Sequence, residues 1–210
     1  MIKKSVKISL MKNLFLLLVI LLLGLSVNAE GITLTGEARF DWVDMSQIQR
    51  DSTIEYYHDI LFGENSVNNY SKDEFKKEFE PFLRDKNYKE HYMLAKDDIK
   101  ETKDANICSF YYKKNILIIY ALQYKNNPRN VFYYDPYGRL RYVDVISENY
   151  PNFPYNSKQY KSNGKLVSAI YFTSKDMQYM YEPDGEFKGL WYKEKMYDRH
   201  GKQKVIRTNW

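Results

Sequence analysis

The sequence predicts an α+β fold, in which an N-terminal strand and two or three helices pack against one face of an antiparallel β-meander of hairpin repeats. Three observations lead to this class. Apolar residues alternate over 32–42, a helix capping motif begins at Ser71, and four hairpin units built on tyrosine and glycine lie between residues 130 and 204. They predict a strand, a helix and a meander of about six to nine strands, respectively.

The first 29 residues have the features of a secretory signal peptide. Four lysines precede an uncharged apolar stretch over residues 14–27, and Val-Asn-Ala at 27–29 provides a cleavage site. This stretch is too short for a membrane span of about twenty residues and fits a signal peptide. We expect a mature chain that starts at Glu30, has no stable membrane span and is exported to the periplasm, the cell surface or the medium. Retention of the segment as an uncleaved anchor is the alternative.

Charge divides the mature chain into two parts. Residues 30–106 hold 11 Lys/Arg against 18 Asp/Glu, whereas residues 107–210 hold 17 against 9. Because the two balances nearly cancel, the mature chain gives no indication of a nucleic-acid partner. Either the two parts dock on each other, or the basic part faces an anionic polymer of the cell envelope. We predict a signal peptide at 1–29, an acidic helix-leaning segment at 30–105 and a basic, tyrosine-rich hairpin region at 106–210.

Within the acidic segment, the spacing of apolar residues changes from strand-like to helical. Residues 32–42 alternate, residues 46–62 follow the helical spacing, and Gly63 comes where a helix C-terminal glycine is expected. Residues 88–99 have the same helical spacing. These patterns predict one strand followed by helices on either side of Ser71.

The clearest local signal is a capping box at Ser71. The Ser71 hydroxyl can accept a bond from an early backbone N–H of the helix, and the carboxylate of Glu74 can accept one from the N–H of Ser71. Tyr70 and Phe75 are placed to form a hydrophobic staple across this N-terminus. Pro81 should break or kink the helix near its end.

From residue 107 onward the composition changes, and this part holds 16 of the 21 tyrosines. Four segments place a tyrosine four residues before a glycine, and in each of them the glycine ends a short turn sequence. Glycine accepts the left-handed conformation that closes a type I turn with a bulge, so each unit predicts a β-hairpin. The pairs are Tyr134 with Gly138, Tyr160 with Gly164, Tyr181 with Gly185, and Tyr197 with Gly201.

These units resemble known bacterial repeats. The aromatic-x-x-x-Gly-Lys/Arg-Leu pattern, with Gly-Leu-Trp-Tyr at 189–192, is similar to MORN-variant hairpin repeats, and the segment that ends at Leu140 resembles a tyrosine–aspartate repeat of Rhs-type proteins. Residues 181–192 also resemble the aromatic hairpins of cell-wall-binding repeats. The resemblance covers residues 130–204 and none of residues 30–106. It implies an extended sheet used for binding or scaffolding, and it implies no catalytic residues.

Residue patterns for catalysis or metal binding are missing. The three histidines do not have metal-ligand spacing, and Cys108 lies in an apolar segment typical of a buried strand thiol. We therefore predict no catalytic residues, no cofactor and no metal site. Asp41 and Asp44, or His58 beside Asp59, are the candidates for acid–base chemistry if the chain is an enzyme, although such charges are usually solvated.

The segment over residues 147–156 is rich in proline and unusually aromatic for a loop. Tyr150, Phe153 and Tyr155 are candidate ligand-binding residues because their ring faces can stack on a sugar or a peptide. Trp191 and Tyr192 are candidates for the same reason. The alternative is that all these rings pack on the sheet.

Together these observations favour an exported, non-enzymatic binding or interaction protein of the cell envelope. The partner would be an envelope protein or a cell-wall glycan. A small exported hydrolase with its site between the two parts is the alternative. A third possibility is an assembly factor whose edge strand pairs with another protein.

Overall fold

The structure, a computed structural model, describes residues 32–35, 51–64, 66, 68–112 and 116–208. It contains helices α1 Asp51–Phe62, α2 Lys72–Phe79 and α3 Tyr88–Lys96, with a 3₁₀ turn Glu80–Phe82 after α2. The strands are β1 Ile32–Thr35, β2 Ala105–Tyr112, β3 Ile116–Tyr124, β4 Asn130–Tyr134, β5 Leu140–Ile146, β6 Tyr155–Lys161, β7 Leu166–Ser174, β8 Met177–Tyr181, β9 Phe187–Tyr192, β10 Lys195–Asp198 and β11 Gln203–Thr208.

Strands β2 to β11 form a continuous antiparallel meander, each strand pairing with the next along the chain. The short strand β1 lies between the two ends of this meander. It pairs antiparallel with β11, where Thr33 faces Thr208, and parallel with β2, where Ile32 faces Phe110. The sheet therefore closes into a barrel.

The predicted α+β class is wrong. Strands dominate the fold, and the three helices of the described residues are short. The predicted arrangement placed the N-terminal strand and the helices on one face of the meander. In the structure β1 joins both ends of the meander, so the sheet curves into a ring and the helices cover only part of its outer surface.

Strand alternation separates an interior cluster of side chains from two outer clusters. Because successive side chains of a strand point to opposite faces, neighbours such as Ile119 and Tyr120 belong to different clusters. Buried residues of the interior cluster are Cys108, Phe110, Ile119, Ala121, Val131, Tyr133, Ile146, Tyr155, Ile170, Phe172, Met180, Trp191 and Met196. Burial on both faces explains why β3 and β4 are apolar over almost their whole length.

The helices lie against the outer surface of the barrel. Phe75 and Phe79 of α2 and Ala95 of α3 pack on the outer residues of β2 to β6. Leu61 of α1 packs on the outer residues of β7 to β10. None of the helices in the described residues is long and apolar enough to cross a membrane.

The predicted capping box of α2 is confirmed. The backbone N–H of Glu74 donates to the Ser71 hydroxyl at 3.3 Å, and the N–H of Ser71 donates to the Glu74 carboxylate at 2.9 Å. The Tyr70 and Phe75 rings meet edge-to-face at 6.2 Å, as the staple requires. The α-helix ends at Phe79, immediately before the 3₁₀ turn that contains Pro81.

The four predicted hairpin turns are also confirmed. Gly138, Gly164, Gly185 and Gly201 all have φ between 74° and 87°, the left-handed region that glycine adopts without strain. The tyrosines of the four units point outward and are buried in the outer clusters. Three of them donate hydrogen bonds to the helical segment: Tyr134 to the Phe82 carbonyl at 3.0 Å, Tyr160 to that of Asn68 at 2.6 Å, and Tyr181 to that of Ile54 at 2.8 Å.

The predicted strand over 32–42 is described only for Ile32–Thr35, and the predicted helix over 46–62 is described from Asp51 onward. The predicted signal peptide at 1–29 lies outside the described residues, as do Asp41 and Asp44.

Candidate ligand-binding site

The loop over residues 147–154 lies at one end of the barrel, opposite the end that carries the four glycine turns. It connects β5 to β6, and its base is held by two hydrogen bonds between Ser147 and Asn156. The Ser147 N–H donates to the Asn156 carbonyl at 2.9 Å, and the Asn156 N–H donates to the Ser147 hydroxyl at 3.0 Å. The peptide bonds before Pro151 and Pro154 are both cis. The hydrogen bonds between Ser147 and Asn156 therefore hold the two ends of the loop together.

The aromatic rings of this loop form a stack that runs from solvent into the barrel. Phe153 is 40% exposed and stacks on Tyr155 with a centroid distance of 5.1 Å. Tyr155 is buried and stacks in turn on Phe172 at 4.7 Å. Tyr150 meets Tyr155 edge-to-face at 5.3 Å, and the Gln123 amide lies 3.3 Å from its hydroxyl. Phe153 thus presents a ring to solvent that is held by buried rings beneath it.

The two remaining candidate residues lie on opposite faces of β9. Trp191 is fully buried in the interior cluster that also contains Tyr155 and Phe172. Tyr192 is exposed on the outside, where the ammonium of Lys193 lies 5.5 Å from its ring centroid. The structure therefore brings four of the five sequence-predicted residues into or against one cluster and leaves Tyr192 apart from it.

Below the aromatic stack, the inward face of the barrel becomes polar. Along β6, Tyr155, Ser157 and Gln159 follow one another on the inward face. On β7 their register partners are Phe172, Ile170 and Ser168, in the same order. Moving away from the loop, the inward pairs are therefore two rings, then a serine beside an isoleucine, then a glutamine beside a serine.

A buried carboxyl extends this polar face to β5. Asp144 is fully buried and pairs in register with Gln159. The Tyr133 hydroxyl donates to one carboxyl oxygen of Asp144 at 2.5 Å, and the Gln159 amide nitrogen donates to the other at 2.9 Å. Burial raises the pKa of Asp144 to about 8, although both hydrogen bonds act to lower it. Below pH 8 this carboxyl is therefore mostly protonated.

Three polar atoms of this interior face have no hydrogen-bond partner among the described residues. They are the hydroxyl oxygens of Ser157 and Ser168 and the amide oxygen of Gln159. Their side chains are 1%, 4% and 2% exposed, respectively. A buried polar group without a partner costs about 1–3 kcal/mol, so three in adjacent positions are unusual in a folded protein. We call Ser157, Gln159, Ser168 and Asp144 the interior polar patch.

Sequence reasoning missed this patch. Its signal was the run Asn156-Ser157-Lys158-Gln159 inside a strand, where two polar residues point inward and are buried. Lys158 points to the opposite face, where its ammonium donates to the Asn69 side chain at 2.5 Å. Burial lowers the pKa of Lys158 to about 8. From the sequence alone, such a polar run is equally typical of a strand that is exposed to solvent.

A second polar cluster lies outside the barrel and has a structural role. The Asp85 carboxylate accepts bonds from the Tyr120 hydroxyl at 2.7 Å and from the Asn87 N–H at 2.9 Å, and it lies 2.8 Å from His91 Nδ1. Burial acts to raise the pKa of Asp85, but the bonds from His91 and Tyr120 outweigh it and lower the pKa. These contacts tie the start of α3 to β3.

The candidates for acid–base chemistry gain no support from the described geometry. His58 Nδ1 lies 3.2 Å from Asp59, whose side chain is 79% exposed on the outer face of α1. Cys108 is buried, which raises its pKa to about 12. In the part of the chain that the structure describes, no three His, Cys, Asp or Glu residues come close enough to hold a metal ion.

Comparisons with models of protein families, with curated proteins and with solved structures found no match to this chain.

Proposed function

We propose that this chain is an exported, non-enzymatic binding protein that holds its ligand at the aromatic end of the barrel. The observation that carries the proposal is the position of Phe153. One face of its ring is stacked on the buried Tyr155, and the side chain remains 40% exposed. An aromatic ring that is rigidly supported and open to solvent is a suitable contact for the apolar face of a sugar or for a proline ring.

The loop geometry supports this assignment. Binding residues are commonly placed on loops that a rigid scaffold positions, and here the scaffold is a closed sheet with a loop held at its base. Because Tyr150 and Tyr155 are already packed, the contact surface needs little ordering when a ligand binds. The expected partners are a cell-wall glycan or a proline-containing segment of an envelope protein.

The proposal is tested by measuring binding of the chain that starts at Glu30. Titration calorimetry with a soluble peptidoglycan disaccharide-peptide and with a short proline-rich peptide gives the affinity for both ligand classes. We expect Phe153→Ala to weaken binding at least tenfold. Tyr137→Ala is the matched control, because Tyr137 is 66% exposed on a glycine turn at the opposite end of the barrel. Equal loss in both variants, or no binding of either probe to the unmodified chain, would contradict the proposal.

Export is tested separately. Expression of the full chain with its first 29 residues should give a protein whose N-terminus is Glu30 and which is recovered outside the cytoplasm. Recovery of the uncleaved chain in the membrane fraction would support the anchor alternative instead.

A further inference from the structure

We infer that the interior polar patch binds a neutral, hydroxyl-rich molecule of about monosaccharide size, held by the hydroxyls of Ser157 and Ser168 and the amide oxygen of Gln159. This inference rests on the proposed function, because it places the ligand directly beneath the aromatic stack that begins at Phe153. It goes further in choosing a sugar over a peptide.

The three polar atoms without partners among the described residues lie close to one another on the interior face. Gln159 and Ser168 are direct register partners, and Ser157 is two positions along β6 on the same face. Directly opposite side chains have Cβ atoms about 4.5–5.5 Å apart, and diagonal ones about 7–8 Å. The three groups therefore fall within the reach of one small molecule.

The number of strands determines how wide the interior of the barrel is. About eight strands enclose an interior that side chains just fill, and the diameter of a barrel grows with strand number. This barrel has eleven strands. Two of the inward residues at the patch are serines, and Ala121 is another small side chain of the interior cluster. The rest of the interior cluster carries large rings such as Trp191, so we place the ligand over the short serine side chains.

The charged groups of the interior determine which ligand charge it can accept. The buried interior residues of the described chain include one carboxyl, Asp144, and both of its oxygens already accept hydrogen bonds from Tyr133 and Gln159. The buried Lys158 points to the outer face of β6. Asp144 is itself mostly uncharged below about pH 8, so neither an acid nor a base would find an opposite charge there, and a charged ligand would lose its hydration without compensation. The interior therefore selects a neutral molecule.

The hydrogen-bonding groups and the rings near the patch match the chemistry of a sugar. The Gln159 oxygen can only accept, whereas each serine hydroxyl can both donate and accept, which suits a ligand rich in hydroxyl groups. Tyr155, Phe172 and Trp191 in the same cluster provide apolar ring faces for the C–H surface of a sugar. An extended peptide usually pairs its backbone with a free sheet edge, and the described strands close into a ring.

The test uses N-acetylglucosamine as the probe and compares Ser157→Ala/Ser168→Ala with the unmodified chain. We expect N-acetylglucosamine to raise the melting temperature of the unmodified chain and its affinity to fall at least tenfold in the double variant. Without the sugar, the double variant should be at least as stable as the unmodified chain, because it removes two buried hydroxyls that have no partner. A clear loss of stability without the sugar would show that these hydroxyls serve the fold and would overturn the inference.

The same variants separate this inference from the proposed function. If Phe153→Ala weakens binding of a probe and the double serine variant binds it with unchanged affinity, the aromatic end is the binding site and the interior assignment is wrong. If the proline-rich peptide binds and N-acetylglucosamine does not, the binding function stands and the sugar is excluded. If no probe binds the unmodified chain, both proposals fail.

Discussion

A methyl group on Gly138 would lie 2.3 Å from Cβ of Tyr88, the first residue of α3. Two other turn glycines approach helices in the same way. A methyl on Gly164 would lie 3.2 Å from Cβ of Phe75 in α2, and one on Gly185 would lie 2.6 Å from the ring of His58 in α1. Each helix thus contacts one glycine turn, so the repeat builds the hairpin and also the contact point for a helix.

This relationship predicts that Gly138→Ala is more destabilising than Gly164→Ala. Both substitutions place a β-carbon at a positive φ, which costs about 1–2 kcal/mol. Only the first also forces α3 away from the turn, and overpacking of this kind costs about 1–3 kcal/mol more. Urea denaturation of the two variants measures the difference. Equal losses would mean that α3 shifts without cost.

The tyrosine hydroxyls are expected to contribute to stability individually. Tyr160→Phe removes the donor to the Asn68 carbonyl, which is 2.6 Å away, and should lower the free energy of unfolding by about 1 kcal/mol. Tyr137→Phe is the control, since Tyr137 is 66% exposed. Thermal denaturation followed by circular dichroism compares them. An unchanged melting temperature in Tyr160→Phe would show that water replaces the lost donor.

Asp144 should make the protein less stable as the pH rises. Its pKa is about 8 in the folded protein and about 3.8 in the unfolded chain, so between these values the folded state holds the extra proton. The stability linked to this group is complete below about pH 3.8 and is lost as the pH rises through about 8. Unfolding free energies measured from pH 4 to pH 9 should fall by a few kcal/mol on this account.

Asp144→Asn isolates that effect. The asparagine carbonyl can still accept from Tyr133, and a rotated Gln159 amide can offer its oxygen to the new NH₂ group. Above pH 8 the variant should therefore be more stable than the unmodified chain, and its stability should change less between pH 4 and pH 9. Parallel pH profiles for the two proteins would show that Asp144 titrates normally.

Asp85 is expected to have the opposite pH dependence. Its lowered pKa means that its contribution is present above about pH 3.8 and is lost as the pH falls through the folded-state pKa. At pH 7, Asp85→Ala leaves His91 and Tyr120 without their partner and should cost about 2–4 kcal/mol. Asp59→Ala is the matched control, because Asp59 also lies beside a histidine, His58, but its side chain is 79% exposed. Similar losses in both variants would argue against the cluster as a link between α3 and the barrel.

Local features of the fold could be predicted from the sequence because they depend on neighbouring residues. The capping box at Ser71 and the left-handed glycines such as Gly138 follow from the chemistry of four consecutive residues. Closure of the sheet could not be predicted in this way. It depends on the pairing of β1 with β11, and nothing in residues 32–35 indicates which strand lies beside them.

The candidate site was predictable in part for a similar reason. Tyr150, Phe153 and Tyr155 are close in sequence, so a shared loop could be read directly. The interior polar patch combines residues of three strands, and its members are ordinary serines, a glutamine and an aspartate. Their significance comes from burial on the inner face of a ring, and an open meander would have left that face exposed.

The position of β1 also determines the order in which the molecule can assemble. Thr33 pairs with Thr208, so the first strand of the ring has its partner at the far end of the chain. A chain made from its N-terminus onward can form the hairpins of residues 105–198 one after another, and β1 can pair with β2, but the other edge of β1 has no partner until residues 203–208 are in place. Ring closure is therefore a late step, and until it occurs β1 lacks one of its two neighbours.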